Sequence, residues 1–211
     1  LEGSDTVNIR AARHPLLVHQ FRREGRENLL VPVDICFGGA QRTLVISGAN
    51  AGGKTVALKT LGLMVLMAQS GIPIPAKEGS CLPVFHHIMA DIGDEQNIEM
   101  NLSTFSAHVR RLVNICETID SSSLVLLDEI GVGTDPEEGA ALALSILDYL
   151  RERNVFTAAT THMSAVKMYA FQHSDVVNAS VAFDHEKLQP LYRLIYGTPG
   201  LSNAMAILSH L

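Results

Sequence analysis

The residues from position 48 to position 55 have the types and the spacing of a phosphate-binding loop. They are Gly48, Ala49, Asn50, Ala51, Gly52, Gly53, Lys54 and Thr55, which read G-x-x-x-x-G-K-T. An apolar run, Thr43 to Ser47, precedes them and a long helix-like run follows, which is the context that a Walker A loop requires. Glycines let backbone N–H groups converge on a phosphate at a helix start, where the helix dipole adds positive potential. We expect Lys54 to reach the β- and γ-phosphates of ATP or GTP, and the Thr55 hydroxyl to bind Mg²⁺.

Two acidic residues, Asp128 and Glu129, follow a second apolar run, Leu124 to Leu127. Four consecutive apolar residues are typical of a buried parallel strand, and ligands bind at the carboxyl ends of such strands. We expect Asp128 to hold Mg²⁺ through water and Glu129 to orient the attacking water, a role that phosphoryl transfer to water requires. Two acids after a strand can also be a merely solvated strand end, but the upstream loop favours the catalytic interpretation.

Composition limits the class of protein. With 211 residues, 47% of them apolar, the chain can bury the core of one α/β domain. A net charge of -6 argues against a duplex-DNA surface on this segment, because phosphate contacts need clustered Lys and Arg. Cys36, Cys81 and Cys116 are far apart and form no C-x-x-C pattern, so the sequence indicates no disulfide framework and no zinc site. They are typical of a cytoplasmic protein.

The most apolar stretch, Val56 to Ala68, contains Lys59 and is shorter than the roughly 20 residues that a membrane span needs. We expect it to be the buried helix behind the phosphate-binding loop, and we expect no membrane association. The sequence shows no pattern typical of a signal peptide. It begins at Leu1 without a methionine and stops abruptly at Leu211. These features favour a fragment of a longer protein.

Periodicity predicts strands that alternate with helices. The predicted elements are an irregular or β-rich region from Asn8 to Ser47, the helix after the loop, a helix from about Thr104 to Ile119, the Leu124 strand, a helix from Pro136 to about Arg153, a strand from Val155 to Thr161, and a hairpin of Val176 to Phe183 with Leu188 to Tyr196. The predicted core face of the Thr104 helix is Phe105, Val109, Leu112, Val113 and Cys116. This order predicts an α/β fold with a mostly parallel sheet flanked by helices and an antiparallel β addition at each end of the chain.

Three more segments carry groups that suit a nucleotide site. Gly131 to Pro136 is a glycine-rich loop that could close over a neighbouring site. His162 follows the Val155 strand, level with Glu129 if the two strands are neighbours. The segment Leu102 to Ser106 opens a helix with hydroxyl groups, which is a second anion-binding end. Each segment also has a plainer interpretation. Gly131 to Pro136 could be an ordinary loop with two glycines, His162 a polar residue that happens to follow a strand, and the hydroxyls of Leu102 to Ser106 a helix N-cap.

Taken in order, these segments resemble the ATPase domain of the MutS family, and most of all the bacterial endonuclease MutS type 2 branch, which bears an Smr module. The residues that carry the resemblance are G-A-N-A-G-G-K-T-V-A-L-K-T from Gly48, G-I-P-I-P-A from Gly71, A-D-I-G-D-E-Q from Ala90, L-S-T-F-S from Leu102, D-E-I-G-V-G-T-D-P-E-E-G-A-A-L-A from Asp128, A-T-T-H from Ala159 and G-L-S-N-A from Gly200. They extend over nearly the whole chain.

The resemblance implies one ABC-like P-loop ATPase domain over residues 1–211, acting as a homodimer with composite sites for ATP and Mg²⁺. In such a dimer the Ser103 segment of one subunit meets the γ-phosphate bound by the other. The resemblance also assigns His162 to sensing that phosphate, Asp91 to Gln96 to coupling the nucleotide with the rest of the protein, and His14 to the neighbourhood of the adenine. A lone His-Pro pair is, alternatively, a turn.

For the whole protein, the resemblance implies a helical core and clamp before this domain and an Smr nuclease module after it. It further implies nucleotide-dependent dimer switching coupled to branched or mismatched DNA, control of recombination, and in some members ribosome rescue. Endonuclease activity would belong to the full-length protein. Two alternatives stay open: a dimerisation switch with negligible turnover, and an ABC ATPase of the SMC or transporter kind. The L-S-G-G-Q motif of the latter is absent, and L-S-T-F-S stands at the helix start.

Overall fold

The computed structural model describes residues 4–49, 52–93, 101–184, 187 and 189–197, with only the backbone of residues 101–105. Asn50, Ala51, the second half of the Asp91 to Gln96 segment (residues 94–96) and the G-L-S-N-A segment therefore lie outside the described residues. The strands are β1 (Thr6–Ala12), β2 (Val33–Gly38), β3 (Thr43–Ser47), β4 (His87–Asp91), β5 (Ser123–Leu127), β6 (Phe156–Thr161), β7 (Val176–Asp184) and β8 (Gln189–Tyr196). The helices are α1 (Pro15–Arg23), α2 (Lys54–Gln69), α3 (Asn101–Thr118), α4 (Pro136–Glu152) and α5 (Ser164–Gln172), with a short 3-10 turn at Glu27–Leu29.

Six strands form one sheet in the order β4, β5, β6, β3, β7, β8. All neighbouring pairs from β4 to β7 are parallel, and β8 joins β7 antiparallel. The chain is therefore a mixed α/β protein with a mostly parallel sheet flanked by helices, as the sequence predicted. The predicted C-terminal hairpin is confirmed, and the N-terminal addition is a separate antiparallel pair, β1 with β2.

The sheet has an apolar layer on each face. Leu44 and Ile46 of β3 pack with α2, whereas Val45, between them, packs with α4 and α5. Strands β3 and β5 are buried along their whole length because helices cover both faces, which explains why their sequences are continuous apolar runs. The carboxyl ends of β3 and β6 are level, since Ser47 is paired with Thr161.

The helix after the loop matches its predicted position. It begins at Lys54, directly after Gly53, whose φ of 89° lies in the left-handed region. It buries Leu58, Leu61 and Met64, and Pro73 and Pro75 lie beyond its end. Among the described residues, no helix is long and apolar enough to cross a membrane.

Helix α4 also begins where its sequence predicts. The Asp135 side chain accepts hydrogen bonds from the N–H groups of Glu137 and Glu138, and Pro136 occupies the first turn. The loop before α4 lies very close to that helix. An added Cβ on Gly131 would lie 2.1 Å from the Gly139 carbonyl oxygen. Gly131, with a φ of 83°, is therefore a position where a side chain has no room.

Two predictions about the helices need correction. The N-terminal region, expected to be irregular or β-rich, contains helix α1, which starts at Pro15 and buries none of its residues; Leu16 is 70% exposed. Helix α3 spans Asn101–Thr118 and therefore includes residues before the predicted start near Thr104. Its buried face includes Leu112 and Ile115, whereas Val113, expected in the core, is 50% exposed.

Candidate functional site

The parallel strands bring the predicted chemical groups to one edge of the sheet. The phosphate-binding loop follows β3, Asp128 and Glu129 follow β5, and His162 follows β6. Because β5, β6 and β3 are consecutive in the sheet, their carboxyl ends adjoin. This edge, outside the carboxyl ends of parallel strands, is where ligands bind in open α/β sheets.

Lys54 is a buried cation that contacts Gly48 and Glu129. Its side chain is 1% exposed, and Nζ donates a hydrogen bond to the Gly48 carbonyl oxygen over 3.0 Å. The same Nζ lies 3.4 Å from Oε1 of Glu129. A buried charge is costly unless it is paired and hydrogen-bonded, so these contacts explain how the ammonium group is accommodated at the start of α2.

Thr55 and Asp128 come together as the two sequence motifs predict. The Thr55 hydroxyl donates to Oδ1 of Asp128 over 3.1 Å, although the residues are 73 positions apart. The Thr160 hydroxyl donates to the same oxygen. Hydroxyl and carboxylate oxygens are hard ligands, the kind that Mg²⁺ selects. Among the residues with described side chains, no group of three or more His, Cys, Asp or Glu is arranged to hold a metal ion.

Glu129 has an unusual backbone conformation for a residue with a side chain. Its φ is 51°, in the left-handed region, and its N–H donates to the Thr160 hydroxyl over 3.0 Å. Oε2 of Glu129 lies 3.5 Å from Nδ1 of His162. The structure thus places His162 next to Glu129, on the neighbouring strand end, and places Lys54 on the other carboxylate oxygen.

Asp91 joins this edge to helix α3. Its carbonyl oxygen accepts the Asp128 N–H over 2.9 Å, and its carboxylate contacts His108 Nδ1 and, over 2.8 Å, Arg111 Nε. Burial alone would raise the pKa of this carboxyl, which is 5% exposed, but the hydrogen bonds and charges of His108 and Arg111 outweigh burial and lower it. Ser103 lies in the same helix. The side chain of Ser103 lies outside the described residues, and its predicted contact is with a second subunit.

The loop glycines pack closely against neighbouring strands. An added Cβ on Gly48 or Gly52 would lie 3.4 Å or 3.1 Å from the Val181 side chain of β7. Gly52 N–H donates to the Ala49 carbonyl oxygen over 2.9 Å, which closes a turn within the loop. Side chains at Gly48 and Gly52 would therefore press against β7.

An apolar cavity of about 290 Å³ adjoins the loop. Its lining includes Gly52, Gly53, Val56, His14 and Tyr192. Burial, aided by the charge of Lys59, lowers the pKa of His14, so that its ring is neutral at pH 7. Its Nδ1 is buried and has no hydrogen-bond partner among the described residues.

Two residues of this site were not predicted from the sequence. Tyr192 has a φ of 54° where the pairing of β7 with β8 shifts its register, and this turns its ring toward Gly53. Thr160 bridges Asp128 and Glu129. Thr160 lies within the A-T-T-H segment, but neither its contacts nor the position of Tyr192 could be predicted locally. A left-handed residue inside a strand and a contact between neighbouring strands both depend on how the sheet pairs.

These features define a mixed α/β domain with a Lys, Thr, Asp and Glu cluster at the carboxyl edge of its parallel strands. Residues 44–206 match the family model described as MutS domain V, and the chain belongs to that family.

The chain is similar to proteins named Endonuclease MutS2. It is 57% identical to the one from Halothermothrix orenii over 201 residues, which are 95% of this chain and 24% of the relative. It is 54% identical to the one from Alkaliphilus metalliredigens over 207 residues, 98% of this chain and 25% of the relative. The chain spans about a quarter of the length of these relatives.

These matches correct the recognition made from the motifs in its detail. They show MutS domain V, with likeness to proteins named Endonuclease MutS2 over 95% to 98% of the chain. The family model starts at residue 44, so that His14 and the β1 and β2 region lie outside that model. An Smr module is part of neither match.

Proposed function

We propose that this chain is a P-loop domain of ABC-like type that binds ATP with Mg²⁺ and hydrolyses it to ADP and phosphate. The observation that carries the proposal is the convergence of two distant motifs. Lys54 and Thr55 contact Glu129 and Asp128 over 3.4 Å and 3.1 Å, at the edge of the sheet where α2 begins. A cation, a hydroxyl and two carboxylates in this arrangement are the groups that phosphoryl transfer to water requires.

The nucleotide would lie along the loop, with its base toward the apolar cavity. The start of the 16-residue helix α2 attracts phosphate, and Lys54 adds a full positive charge. The cavity beside Gly53 presents the neutral ring of His14 and the ring of Tyr192. Apolar and aromatic walls with few polar atoms are typical of sites for planar ligands.

Thr55 and Asp128 would hold Mg²⁺, which neutralises phosphate charge when it is bound. On nucleotide binding, Lys54 exchanges Glu129 for phosphate oxygens. Glu129 is then free to accept a hydrogen bond from the attacking water and orient it. His162, on the far side of the Glu129 carboxylate, is positioned to contact the γ-phosphate or to hold Glu129 in place.

Measurement of phosphate release tests this proposal. The chain should release phosphate from ATP in the presence of Mg²⁺ and stop when EDTA is added. Asp128→Asn should slow release at least about a hundredfold, because the metal loses a charged ligand. Asp120→Asn is the matched control, since Asp120 is an exposed residue just before β5, at the opposite end of that strand, and should leave the rate unchanged. Release that does not depend on Mg²⁺ or Asp128 contradicts the proposal.

We further propose that ATP joins two copies of the chain through the Ser103 segment, and that in the longer protein this switch controls binding to branched or mismatched DNA, and thereby recombination. The relatives' name, Endonuclease MutS2, supports a role on nucleic acid. The net charge of -6 supports placing the DNA surface, or a ribosome-binding surface, in the remaining three quarters of such a protein. Three free thiols support a cytoplasmic location.

A further inference from the structure

Thr160 occupies a position between the two acidic residues of the site. It lies on β6, is fully buried, and uses its hydroxyl twice: it accepts the Glu129 N–H over 3.0 Å and donates its own proton to Oδ1 of Asp128. The hydroxyls of the other two threonines of β6, Thr157 and Thr161, form hydrogen bonds with different groups. Thr161 accepts the Met163 N–H, and the Thr157 hydroxyl bonds to the Val155 carbonyl oxygen.

The contact with Glu129 supports a backbone conformation that favours glycine. With a φ of 51°, Glu129 needs surrounding structure to hold it in the left-handed region. The preceding N–H, of Asp128, is bonded to the Asp91 carbonyl oxygen of β4, so the turn after β5 is attached to both neighbouring strands. Without the Thr160 acceptor, the Glu129 N–H would lose its partner, and the attachment to β6 would be lost.

The contact with Asp128 orients its carboxylate. Oδ1 accepts one hydrogen bond from Thr55 and one from Thr160. Thr55 would turn toward Mg²⁺ when the site is occupied, and Thr160 is then the hydroxyl that still holds Asp128. A threonine hydroxyl has a single proton, which Thr160 gives to Asp128, so that Thr160 has no proton to donate to a nucleotide.

We infer that Thr160 is a positioning residue for the hydrolysis proposed above, on which this inference rests. Its one hydroxyl sets the backbone conformation of Glu129 and the orientation of Asp128 together. The water-orienting group and the metal-binding group therefore depend on the same atom. Removal of that atom should impair the chemical step without weakening the binding of ATP, because Lys54 and the loop are unchanged.

Three variants test this inference. Thr160→Val keeps the shape and removes the hydroxyl, and Thr160→Ser keeps the hydroxyl. Thr157→Val is the matched control, a buried threonine on the same strand whose hydroxyl bonds to the carbonyl oxygen of Val155, directly before that strand. The first measurement needs no nucleotide. Hydrogen exchange of the Glu129 amide, followed by NMR, should be at least about tenfold faster in Thr160→Val than in the wild type, and close to wild type in Thr160→Ser and Thr157→Val.

The second measurement is steady-state hydrolysis of ATP. Thr160→Val should lower kcat by about tenfold to a hundredfold, the range expected for losing a hydrogen bond to a charged group, with the affinity for ATP unchanged. Thr160→Ser should recover most of the rate. A Thr160→Val variant with wild-type amide exchange and wild-type kcat overturns the inference, and so does an equal loss in Thr157→Val. A wild-type chain without hydrolysis overturns the proposed function instead, and the amide exchange still decides whether Thr160 positions Glu129.

Discussion

Lys54 and Glu129 are paired in the structure, with Nζ and Oε1 3.4 Å apart and the lysine side chain 1% exposed. The group predicted to bind phosphate thus contacts the group predicted to orient water. The Glu129 carboxylate partly neutralises the Lys54 ammonium, which limits the free-energy cost of burying that positive charge. Phosphate oxygens must compete with Glu129 for Lys54, so binding and catalysis are linked through this pair.

Replacing Lys54 should weaken the binding of ATP. Lys54→Ala removes the cation beside the phosphates, and hydrogen bonds to charged groups contribute about 1.5–3 kcal/mol each. Affinity measured by calorimetry should fall roughly tenfold or more. Lys77→Ala, which removes an exposed lysine, should bind ATP like the wild type. Unchanged affinity in a folded Lys54→Ala variant would show that the loop does not bind phosphate.

Replacing Glu129 should separate binding from turnover. Glu129→Gln keeps the loop and Asp128, but its neutral amide is a poor partner for the attacking water, so hydrolysis should slow at least about a hundredfold. The neutral side chain also competes less for Lys54, and ATP should bind as tightly as in the wild type or more tightly. Single-turnover kinetics and calorimetry check the two parts. A variant with wild-type turnover would exclude Glu129 as the water-orienting group.

ATP that persists in Glu129→Gln should hold two chains together. Light scattering of this variant should show a dimer with ATP and Mg²⁺ and a monomer with ADP. Adding Ser103→Ala should weaken that dimer and leave the binding of ATP to the monomer nearly unchanged, because Ser103 is predicted to act on the partner's nucleotide. A dimer that is indifferent to Ser103 would rule out the composite site. The paired-site model would be contradicted if light scattering with ATP and Mg²⁺ showed only monomers, both for this chain and for a full-length MutS2 relative.

The stability of the chain should depend on pH through Asp91. The pKa of this carboxyl is lowered below its ordinary value of about 3.8, so its contribution to stability is present above that pH and is lost as the pH falls through the lowered pKa. Asp91→Asn should reduce the free energy of unfolding by about 1–3 kcal/mol at pH 7, since His108 and Arg111 lose a charged partner. Urea unfolding should show this difference shrinking in acid. Exposed Glu78→Gln should show little effect at either pH.

The isolated chain should bind duplex DNA poorly. Its net charge is -6, and binding to phosphates depends on neutralisation by Lys and Arg. Fluorescence anisotropy with a plain duplex at physiological salt should give no submicromolar dissociation constant. Tight binding under these conditions would place a DNA surface on this domain, contrary to the proposal.

Local sequence patterns predicted much of the fold. The β5 strand is a run of apolar residues buried on both faces, and the α2 helix is bounded by Gly53 and by prolines, so both appear where their sequences predict. Helix α1 was not predicted because its nine residues make only about two and a half turns and none of them is fully buried, so its short apolar face, which includes Leu17 and Phe21 beside the cavity, gives a weak periodic signal. In α3 the periodicity predicted Val113 in the core, but packing against the sheet buries Ile115 and leaves Val113 exposed.

The sequence by itself determined which residue types are available for chemistry: a glycine-rich loop with Lys54 and Thr55, and two acids after a buried strand. The tertiary structure decided which of their atoms meet. The order of β5, β6 and β3 places Thr160 against both acids, and the shift in register between β7 and β8 turns Tyr192 toward Gly53. Local periodicity cannot encode these contacts, because each joins strands that are distant in the chain and are brought together only by the pairing of the whole sheet.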